Sequence, residues 1–293
     1  MKLIYDPASV NPVIEDHGDH YSMDHQEAET VIKIKMVSID QFKKMDFDYI
    51  VPTIYNHEES FLKLRDKFQP KAKMIRHIGN VNDVSTGKIP NFLNSTAQWP
   101  TLLDYKTHVK RHTVLWREEI DTRQFCWSEP TVHDTIRMIA PYPREMVDYP
   151  LWKAYRSAMP DFKWNEHGFV SDHGYLSGPE LPKAFKDSAF IWHVKFRGDG
   201  FGHTIHHAYA CGRPCIVRGS YYKNCIAAPL LEHGVSCIDL DKMDYMETLS
   251  TIRFWAQPDN HLVMCKEAYR KFKENVDFDK EFEDVKVFLA ECI

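Results

Sequence analysis

Short apolar runs alternate with helix-spaced apolar residues along the first part of the chain. Runs rich in β-branched and aromatic residues predict strands. These runs are KLIYD at 2–6, FDYIVPTIY at 47–55, AKMIRHIGN at 72–80, FLNST at 92–96 and HTVLW at 112–116. Between the second and third runs, Phe61, Leu64 and Phe68 recur at helical spacing. Strands separated by helical or loop segments favour a parallel sheet covered by helices.

The alternation starts again near Asp134 and becomes more regular. Strands are predicted at 135–142, 162–169, 189–196, 214–220 and 235–241. Helices are predicted between them, at 149–159, 180–188, 203–211 and 227–234. Repeated strand–helix units of this length are typical of a Rossmann-like domain. A closing amphipathic helix is predicted from apolar residues at helical spacing, which are Phe278, Phe282, Val285, Phe288 and Leu289.

The length of the chain, 293 residues, exceeds the usual size of one hydrophobic core. Hydrophobic residues make up 43% of the sequence, which is enough for two cores. We therefore expect an α/β protein with two Rossmann-like domains. The expected domains are 1–129 and 130–275, followed by the closing helix at 276–293.

The apolar runs, the cysteines and the net charge each argue against particular classes of protein. No run approaches the roughly 18 apolar residues of a membrane helix, and the first residues are too polar for a signal peptide, so we expect a cytoplasmic protein without a membrane partner. Seven scattered cysteines favour reduced thiols. Cys211 and Cys215 lack the second pair that a zinc knuckle needs. A formal charge of −5 argues against a wholly basic surface but permits a local basic patch.

Residues 194–216 carry the strongest chemical signal, because a strand, a glycine loop, a helix, a turn and a strand follow one another directly. Gly198, Gly200 and Gly202 allow the backbone to turn tightly and to approach a ligand. The helix predicted from His203 presents unpaired N–H groups at the positive end of its dipole, where a diphosphate fits. The spacing GxGxG is not the dinucleotide fingerprint GxGxxG, and structural turns use such glycines too.

Basic residues flank this segment. Lys195 and Arg197 precede the loop and can make charge-assisted contacts with phosphate oxygens. Arg144 follows the strand predicted at 135–142 and can reach the same phosphates, although an exposed turn would also explain it.

The segment GDGFGHTIHHAYACGRPCI at 198–216 resembles the donor site of GT-B glycosyltransferases. Eight residues are in register with that pattern: Asp199, Gly200, Phe201, Gly202, Ala208, Ala210, Gly212 and Pro214. His207 stands where the family pattern has an acidic residue that grips the donor ribose. The resemblance implies the GT-B architecture, in which two Rossmann-like domains face a cleft and the helix 276–293 packs back towards the first domain. It also implies a nucleotide-sugar donor substrate, such as a UDP-sugar, and no required cofactor. The implied donor-binding residues are Lys195, Arg197, Gly200, Phe201, Gly202, His203, Thr204, His207 and Arg144.

Two further segments resemble the GT-B family, VLWREEIDTRQF at 114–125 and LLEHGVSCIDLD at 230–241. The resemblance extends to phage-encoded glycosyltransferases through FGHTIHHAYACGRP at 201–214, RGSYYKN at 218–224 and GVSCIDLD at 234–241. Several of these enzymes modify hydroxymethylated pyrimidines in DNA. The resemblance therefore implies a phage DNA acceptor and the host cytoplasm as location. The alternative is a glycosyltransferase for a surface glycan, a lipid or a protein.

The polar segment DHGDHYSMDH at 16–25 follows the first predicted strand. A histidine beside an aspartate can act as a base for an acceptor hydroxyl, because the carboxylate fixes the tautomer of the ring. We therefore predict catalytic roles for Asp19 and His20 and an acceptor contact for His17. A solvated loop or an adventitious metal site would use the same residues.

Four further residues at predicted strand ends are candidates for acceptor binding, and they are His57, His77, Tyr222 and Lys223. Ordinary packing explains a lone histidine or a tyrosine equally well. The basic residues of 63–76 are candidates for contact with DNA phosphates, or they form a solvated helix face. A non-catalytic module that binds a nucleotide or a metal is the remaining hypothesis. The sugar, the stereochemical course and the oligomeric state stay open.

Overall fold

The computed structural model of the protein describes most of the chain. The described residues are 15–16, 21–22, 33–34, 38–53, 57–79, 85–96, 112–117, 120–176, 178–195, 201–223 and 225–292. The chain divides into two compact units, of which the first comprises 1–117 with 279–293 and the second comprises 118–278. This division lies earlier in the chain than the boundary predicted at residue 129.

The described residues of the first unit form two sheets. Three short strands pair antiparallel in chain order: β1 (Glu15–Asp16), β2 (Tyr21–Ser22) and β3 (Lys33–Ile34). Four parallel strands form the second sheet in the order β4-β5-β6-β7: β4 (Tyr49–Ile50), β5 (Lys73–Ile78), β6 (Asn91–Asn94) and β7 (His112–Leu115). The parallel sheet predicted from the alternating pattern is confirmed.

Local sequence features stabilise two helices of the first unit. Helix α1 (Ile39–Phe42) has a capping box, in which Ser38 and Gln41 exchange side-chain and backbone hydrogen bonds. Helix α2 (Glu58–Phe68) has acidic residues in its first turn and basic residues in its last, which complements the helix dipole. Its bounds coincide with the predicted segment 58–68.

The second unit is a sheet of five parallel strands in the order β12-β11-β10-β8-β9. The strands are β8 (Thr135–Ile139), β9 (Lys163–His167), β10 (Phe190–Trp192), β11 (Cys215–Val217) and β12 (Cys237–Asp239). The helices are α3 (Pro143–Met146), α4 (Tyr149–Ala158), α5 (Glu180–Lys186), α6 (His203–Ala210), α7 (Tyr245–Trp255) and α8 (Pro258–Asn275). Each predicted strand of this unit is present, although its ends differ by a few residues.

Aromatic side chains fill the core of the second unit. Trp152 of α4 meets Trp164 of β9 and Trp192 of β10 edge to face, with ring centroids 4.8 and 5.7 Å apart. Trp152 and Trp192 are fully buried. These contacts fix α4 against the middle of the sheet, so that the strand ends on either side keep defined positions.

One predicted helix of this unit is wrong. Only a 3₁₀ turn, Ala228–Leu230, forms within the segment 227–234. The backbone becomes extended at Leu231, with a φ of −97° and a ψ of 102°, and this ends the turn.

The last helix, α9 (Phe278–Glu291), packs on the four-stranded sheet of the first unit. Phe288 lies in one buried cluster with Ile75 and Leu93. The Tyr49 hydroxyl donates to the Leu289 carbonyl at 2.8 Å. The predicted amphipathic helix is therefore present. Phe288 is buried and Val285 and Leu289 are partly buried against the sheet, whereas Phe282 is 57% exposed.

Candidate functional site

The strand order of the second unit places a switch point between β8 and β10. Strand β9 lies on one side of β8, and the chain then crosses to the other side to form β10. In open parallel sheets, ligands bind beyond the carboxyl ends of the strands at such a point. The loops that follow β8, β9 and β10 are therefore the expected ligand-binding region.

The start of α6 lies at this edge. The hydroxyl of Thr204 lies 3.5 Å from the Ile139 carbonyl at the end of β8. Gly202 is the N-cap of α6 with a φ of +82°, and a Cβ on it would lie 3.1 Å from the Cβ of Ala227. Glycine is therefore needed here, and it brings no side chain to the first N–H groups of the helix. These groups suit an anion.

Phe201 anchors the loop rather than projecting from it. Its ring is 3% exposed and stacks on His206, with centroids 4.3 Å apart. The ring of His203 meets Phe201 edge to face at 4.4 Å. A ring nitrogen of His206 lies 3.0 Å from the Gly202 carbonyl. The buried ring of Phe201, packed on His203 and His206, thus stabilises the start of α6.

The backbone of Lys195 is fixed on both sides. Lys195 forms an antiparallel bridge with Val147, and the adjacent Asp148 amide donates to the Val194 carbonyl at 2.9 Å. The Tyr222 hydroxyl donates to the His193 carbonyl at 2.7 Å and lies 3.5 Å from the Lys195 amide. Lys195 itself is half-buried. The backbone that carries the Lys195 side chain is therefore held in place beside the switch point.

Tyr222, predicted to contact the acceptor, is only 1% exposed. Its hydroxyl donates to the carbonyl of His193, just after β10, and so holds the backbone before Lys195. Lys223 is exposed and lines a cavity of about 400 Å³ at the carboxyl ends of β11 and β12. Asp239 lines the same cavity and accepts from the Gly219 amide at 2.7 Å.

His207 lies on the buried face of α6. Its ring is packed between Phe125 and Phe185, with centroids 4.0 and 5.7 Å away. Burial lowers the pKa of His207 well below its usual value, and the neighbouring His203 and His206 lower it further. His207 is therefore neutral at neutral pH, and its contact with a donor ribose stays a prediction.

Arg144 is held by two carboxylates. Its guanidinium lies 2.8 Å from Glu166, which is fully buried, and 2.7 Å from Asp172. The hydrogen bond to Glu166 raises the pKa of Arg144. The Arg144 side chain is 40% exposed, so it remains accessible at the end of β8.

A second, smaller cavity of about 150 Å³ lies at the carboxyl ends of β8 and β9. His167 and Thr204 are among the residues that line it. Sequence reasoning missed His167, because a single histidine at the end of an apolar strand gives no periodic signal. The adjacent pair His167–Gly168 at the predicted end of a strand was the available sign.

The first unit positions two of the predicted acceptor residues. His57 is half-buried before α2, and His77 is half-buried in β5. The Nε2 of His77 lies 2.9 Å from the Ser95 hydroxyl, and the Trp116 ring meets His77 edge to face at 5.1 Å. The predicted residues His17, Asp19, His20, Arg197 and Gly200 lie outside the described part of the chain.

The basic stretch 63–76 does not form one cationic surface. Arg76 is fully buried and paired with Glu58, which removes it from contact with DNA. Arg65 pairs with Asp66, and the Lys73 ammonium donates to the Cys292 carbonyl. The exposed lysines of the stretch are Lys63, Lys67, Lys71 and Lys73.

Within the described ranges, no group of three or more His, Cys, Asp or Glu side chains is arranged to hold a metal ion. None of the helices in this part of the chain is long and apolar enough to span a membrane.

No protein-family model and no curated protein matches the sequence. Solved structures do match. HepE from Anabaena in complex with UDP-glucose is 12% identical with a TM-score of 0.66, and the match covers 86% of this chain and 80% of that chain. The protein has the GT-B fold.

Two other GT-B structures illustrate the range of the match. Sucrose-phosphate synthase from Thermosynechococcus elongatus is 11% identical with a TM-score of 0.64, over 82% of this chain and 73% of that chain. The pneumococcal O-GlcNAc transferase GtfA in complex with UDP and GlcNAc is 11% identical with a TM-score of 0.59, over 93% of this chain and 62% of that chain. The predicted fold class, α/β with two Rossmann-like domains, is confirmed.

Proposed function

We propose that the protein is a glycosyltransferase that moves a sugar from a UDP-sugar to an acceptor hydroxyl. The observation that carries the proposal is the glycine-capped start of α6 at the switch point, beside the fixed backbone of Lys195. The GT-B fold adds support, because similar structures hold UDP, UDP-glucose, or UDP with a sugar. Each of those ligands belongs to the similar protein.

The proposed chemistry follows from charge. As the bond between the anomeric carbon and the diphosphate breaks, negative charge grows on the leaving UDP. The first N–H groups of α6 and the Lys195 ammonium would stabilise that charge from fixed positions. Arg197 is predicted to assist, and Arg144 is accessible at the end of β8. The acceptor oxygen bonds to the anomeric carbon and passes its proton to a base, for which Asp19 and His20 are the predicted residues.

The proposed acceptor is a hydroxymethylated pyrimidine in DNA. The exposed lysines of the first unit, Lys63, Lys67 and Lys71, support it. The buried pairing of Arg76 leaves fewer cations for a DNA backbone than the sequence suggested. A glycan, lipid or protein acceptor would need no such cations. The test below therefore includes acceptors other than DNA.

The test is mass spectrometry after incubation of the protein with a panel of UDP-sugars and several acceptors. The acceptors are DNA containing 5-hydroxymethylcytosine, unmodified DNA, a glycan mixture and a lipid extract. A mass gain of one sugar on any acceptor supports the proposal and identifies the acceptor class. Slow UDP release without a mass gain supports donor use and rejects these acceptors. No UDP release from any donor would overturn the proposal in favour of a binding module.

A further inference from the structure

The segment 193–195 follows β10 and ends at the proposed cation of the donor site. On one side, the His193 amide continues the ladder with β11, because it donates to the Ile216 carbonyl at 2.9 Å. In a regular parallel ladder the Arg218 carbonyl would be the next acceptor for this segment. That carbonyl accepts instead from the Tyr221 amide at 3.0 Å, inside the turn that follows β11. The ladder therefore gives way to other hydrogen bonds along the segment.

The hydroxyl of Tyr222 serves the segment on this side. It donates to the His193 carbonyl at 2.7 Å, and the Lys195 amide lies 3.5 Å from the same oxygen. A hydroxyl donates one hydrogen bond and accepts others, so a single oxygen suits both backbone groups. The ring of Tyr222 is 1% exposed and tilts against the ring of His193, with centroids 5.8 Å apart. The hydroxyl is thus presented from a packed position.

The chain that follows β8 holds the other side of the segment. The Val194 carbonyl accepts from the Asp148 amide at 2.9 Å, and Val147 pairs with Lys195 in an antiparallel bridge. Asp148 is itself fixed as the N-cap of α4, where its side chain accepts from the Leu151 amide. Backbone groups therefore hold the segment on the β8 side, whereas a side chain holds it on the β11 side.

The position of Tyr222 depends on the end of β12. The Tyr222 amide donates to the Gly219 carbonyl at 3.0 Å and closes the 3₁₀ turn Gly219–Tyr221. The Gly219 amide in turn donates to the carboxylate of Asp239, which is 7% exposed, at 2.7 Å. A Cβ on Gly219 would collide with that carboxylate, so glycine is needed there. The ends of β10, β11 and β12 are thus joined through Tyr222.

We propose that Tyr222 is a positioning residue for sugar transfer, because its hydroxyl holds the backbone from which the Lys195 side chain acts on the leaving diphosphate. In this role Tyr222 acts through Lys195 and not on the acceptor, which is its partner in the sequence-based prediction. Phenylalanine keeps the buried ring but offers nothing to the His193 carbonyl or the Lys195 amide. A misplacement of about 1 Å can cost on the order of 100-fold in rate. The inference rests on the proposed function and on the place of Lys195 in it.

The test is the steady-state rate of UDP release from the preferred UDP-sugar. Wild-type protein, Tyr222→Phe, Lys195→Ala and the double variant are compared at a temperature where circular dichroism shows each one folded. Tyr222→Phe is expected to lower kcat about fivefold to tenfold and to change the donor KM less than about twofold. The reason is that a cation beside the leaving group acts more on the charge of the transition state than on the bound donor.

The double variant shows whether Tyr222 acts through Lys195. Once the Lys195 side chain is absent, its placement no longer matters, so Tyr222→Phe should change kcat less than about twofold in that background. Tyr49→Phe is the matched control, because it also removes a hydroxyl that donates to a backbone carbonyl, at 2.8 Å and in the first unit. It should match wild type in kcat and in KM.

The other outcomes overturn the inference. A kcat of Tyr222→Phe equal to that of wild type would reject the positioning role, and so would a raised donor KM with an unchanged kcat. Independent, multiplying effects of the two substitutions would show that Tyr222 acts elsewhere. Each of these results leaves the proposed function standing. Absence of UDP release by wild-type protein from every donor would reject the proposed function together with the inference.

Discussion

The guanidinium of Arg76 lies against the carboxylate of Glu58, with 2.7 Å between Nε and Oε1 and neither side chain exposed. The second carboxylate oxygen accepts from the amide and the hydroxyl of Thr86, at 2.8 and 2.7 Å. This pair therefore joins the first turn of α2, strand β5 and the segment before β6. It is an internal support of the first unit.

Removing one partner should destabilise the protein strongly. Arg76→Ala leaves the Glu58 carboxylate buried without its cation, and we expect the free energy of unfolding to fall by about 3–5 kcal/mol. Urea denaturation followed by circular dichroism measures it. Arg65→Ala is the control, because Arg65 pairs with Asp66 near the surface and should cost less than about 1 kcal/mol. Equal urea midpoints for the two variants would rule out the supporting role.

The basic stretch shows what a one-dimensional pattern can and cannot predict. The helical spacing of Phe61, Leu64 and Phe68 predicts α2 with its observed bounds. The same pattern cannot tell that Arg76 points into the core, because its partner Glu58 is distant in sequence and only the βα packing brings them together. Charge counted along the chain therefore overestimates the cationic surface.

In the candidate site, too, the features set by neighbouring residues could be predicted from the sequence, and those set by the packing of distant residues could not. The glycine loop predicts the start of α6, since local backbone freedom and helix capping are properties of neighbouring residues. The burial of Tyr222 and of His167 depends on the order of the strands, which no local pattern contains. No secondary-structure prediction covers 245–275, where α7 and α8 lie.

The exposed lysines of the first unit test the DNA acceptor. If DNA binds there, charge reversal of Lys63, Lys67 and Lys71 should weaken binding and flatten its dependence on salt, by up to about 0.9 in the log–log slope for each phosphate that the variant no longer neutralises. Fluorescence anisotropy of labelled DNA at several salt concentrations gives the slope. Reversal of Lys266 and Lys273, both exposed on α8, is the control. A slope that responds equally to both sets would reject this surface as the DNA site.

Gly202 should tolerate no side chain. Gly202→Ala combines a φ of +82° with a Cβ contact at 3.1 Å, so we expect a loss of about 1–2 kcal/mol in stability and a larger loss of donor affinity. Gly234→Ala has a similar φ of +73° and open space around the new Cβ. It should show the loss in stability alone. Thermal unfolding and UDP titration compare the two variants, and equal UDP affinity would contradict the proposed place of the diphosphate.

His261 should make the free energy of unfolding depend on pH. Burial lowers its pKa to about 4, so between an unfolded pKa of about 6.5 and about 4 only the unfolded state binds the proton. Stability should therefore be complete above that window and fall as the pH decreases through it, by up to about 1.4 kcal/mol per pH unit. Urea denaturation from pH 7 to pH 4 measures the slope. A His261→Gln variant should flatten it, and an unchanged slope would assign the effect to other groups.

Lys195 gives the most direct test of the proposed diphosphate site at the start of α6. The measurement is the rate of UDP release from the preferred UDP-sugar by wild-type protein, Lys195→Ala and the surface control Lys266→Ala. We predict that Lys195→Ala lowers turnover more than tenfold, because it removes the cation that we propose to stabilise the charge on the leaving diphosphate, and that Lys266→Ala matches wild type. Turnover of Lys195→Ala equal to that of wild type would contradict the placement of the diphosphate beside Lys195.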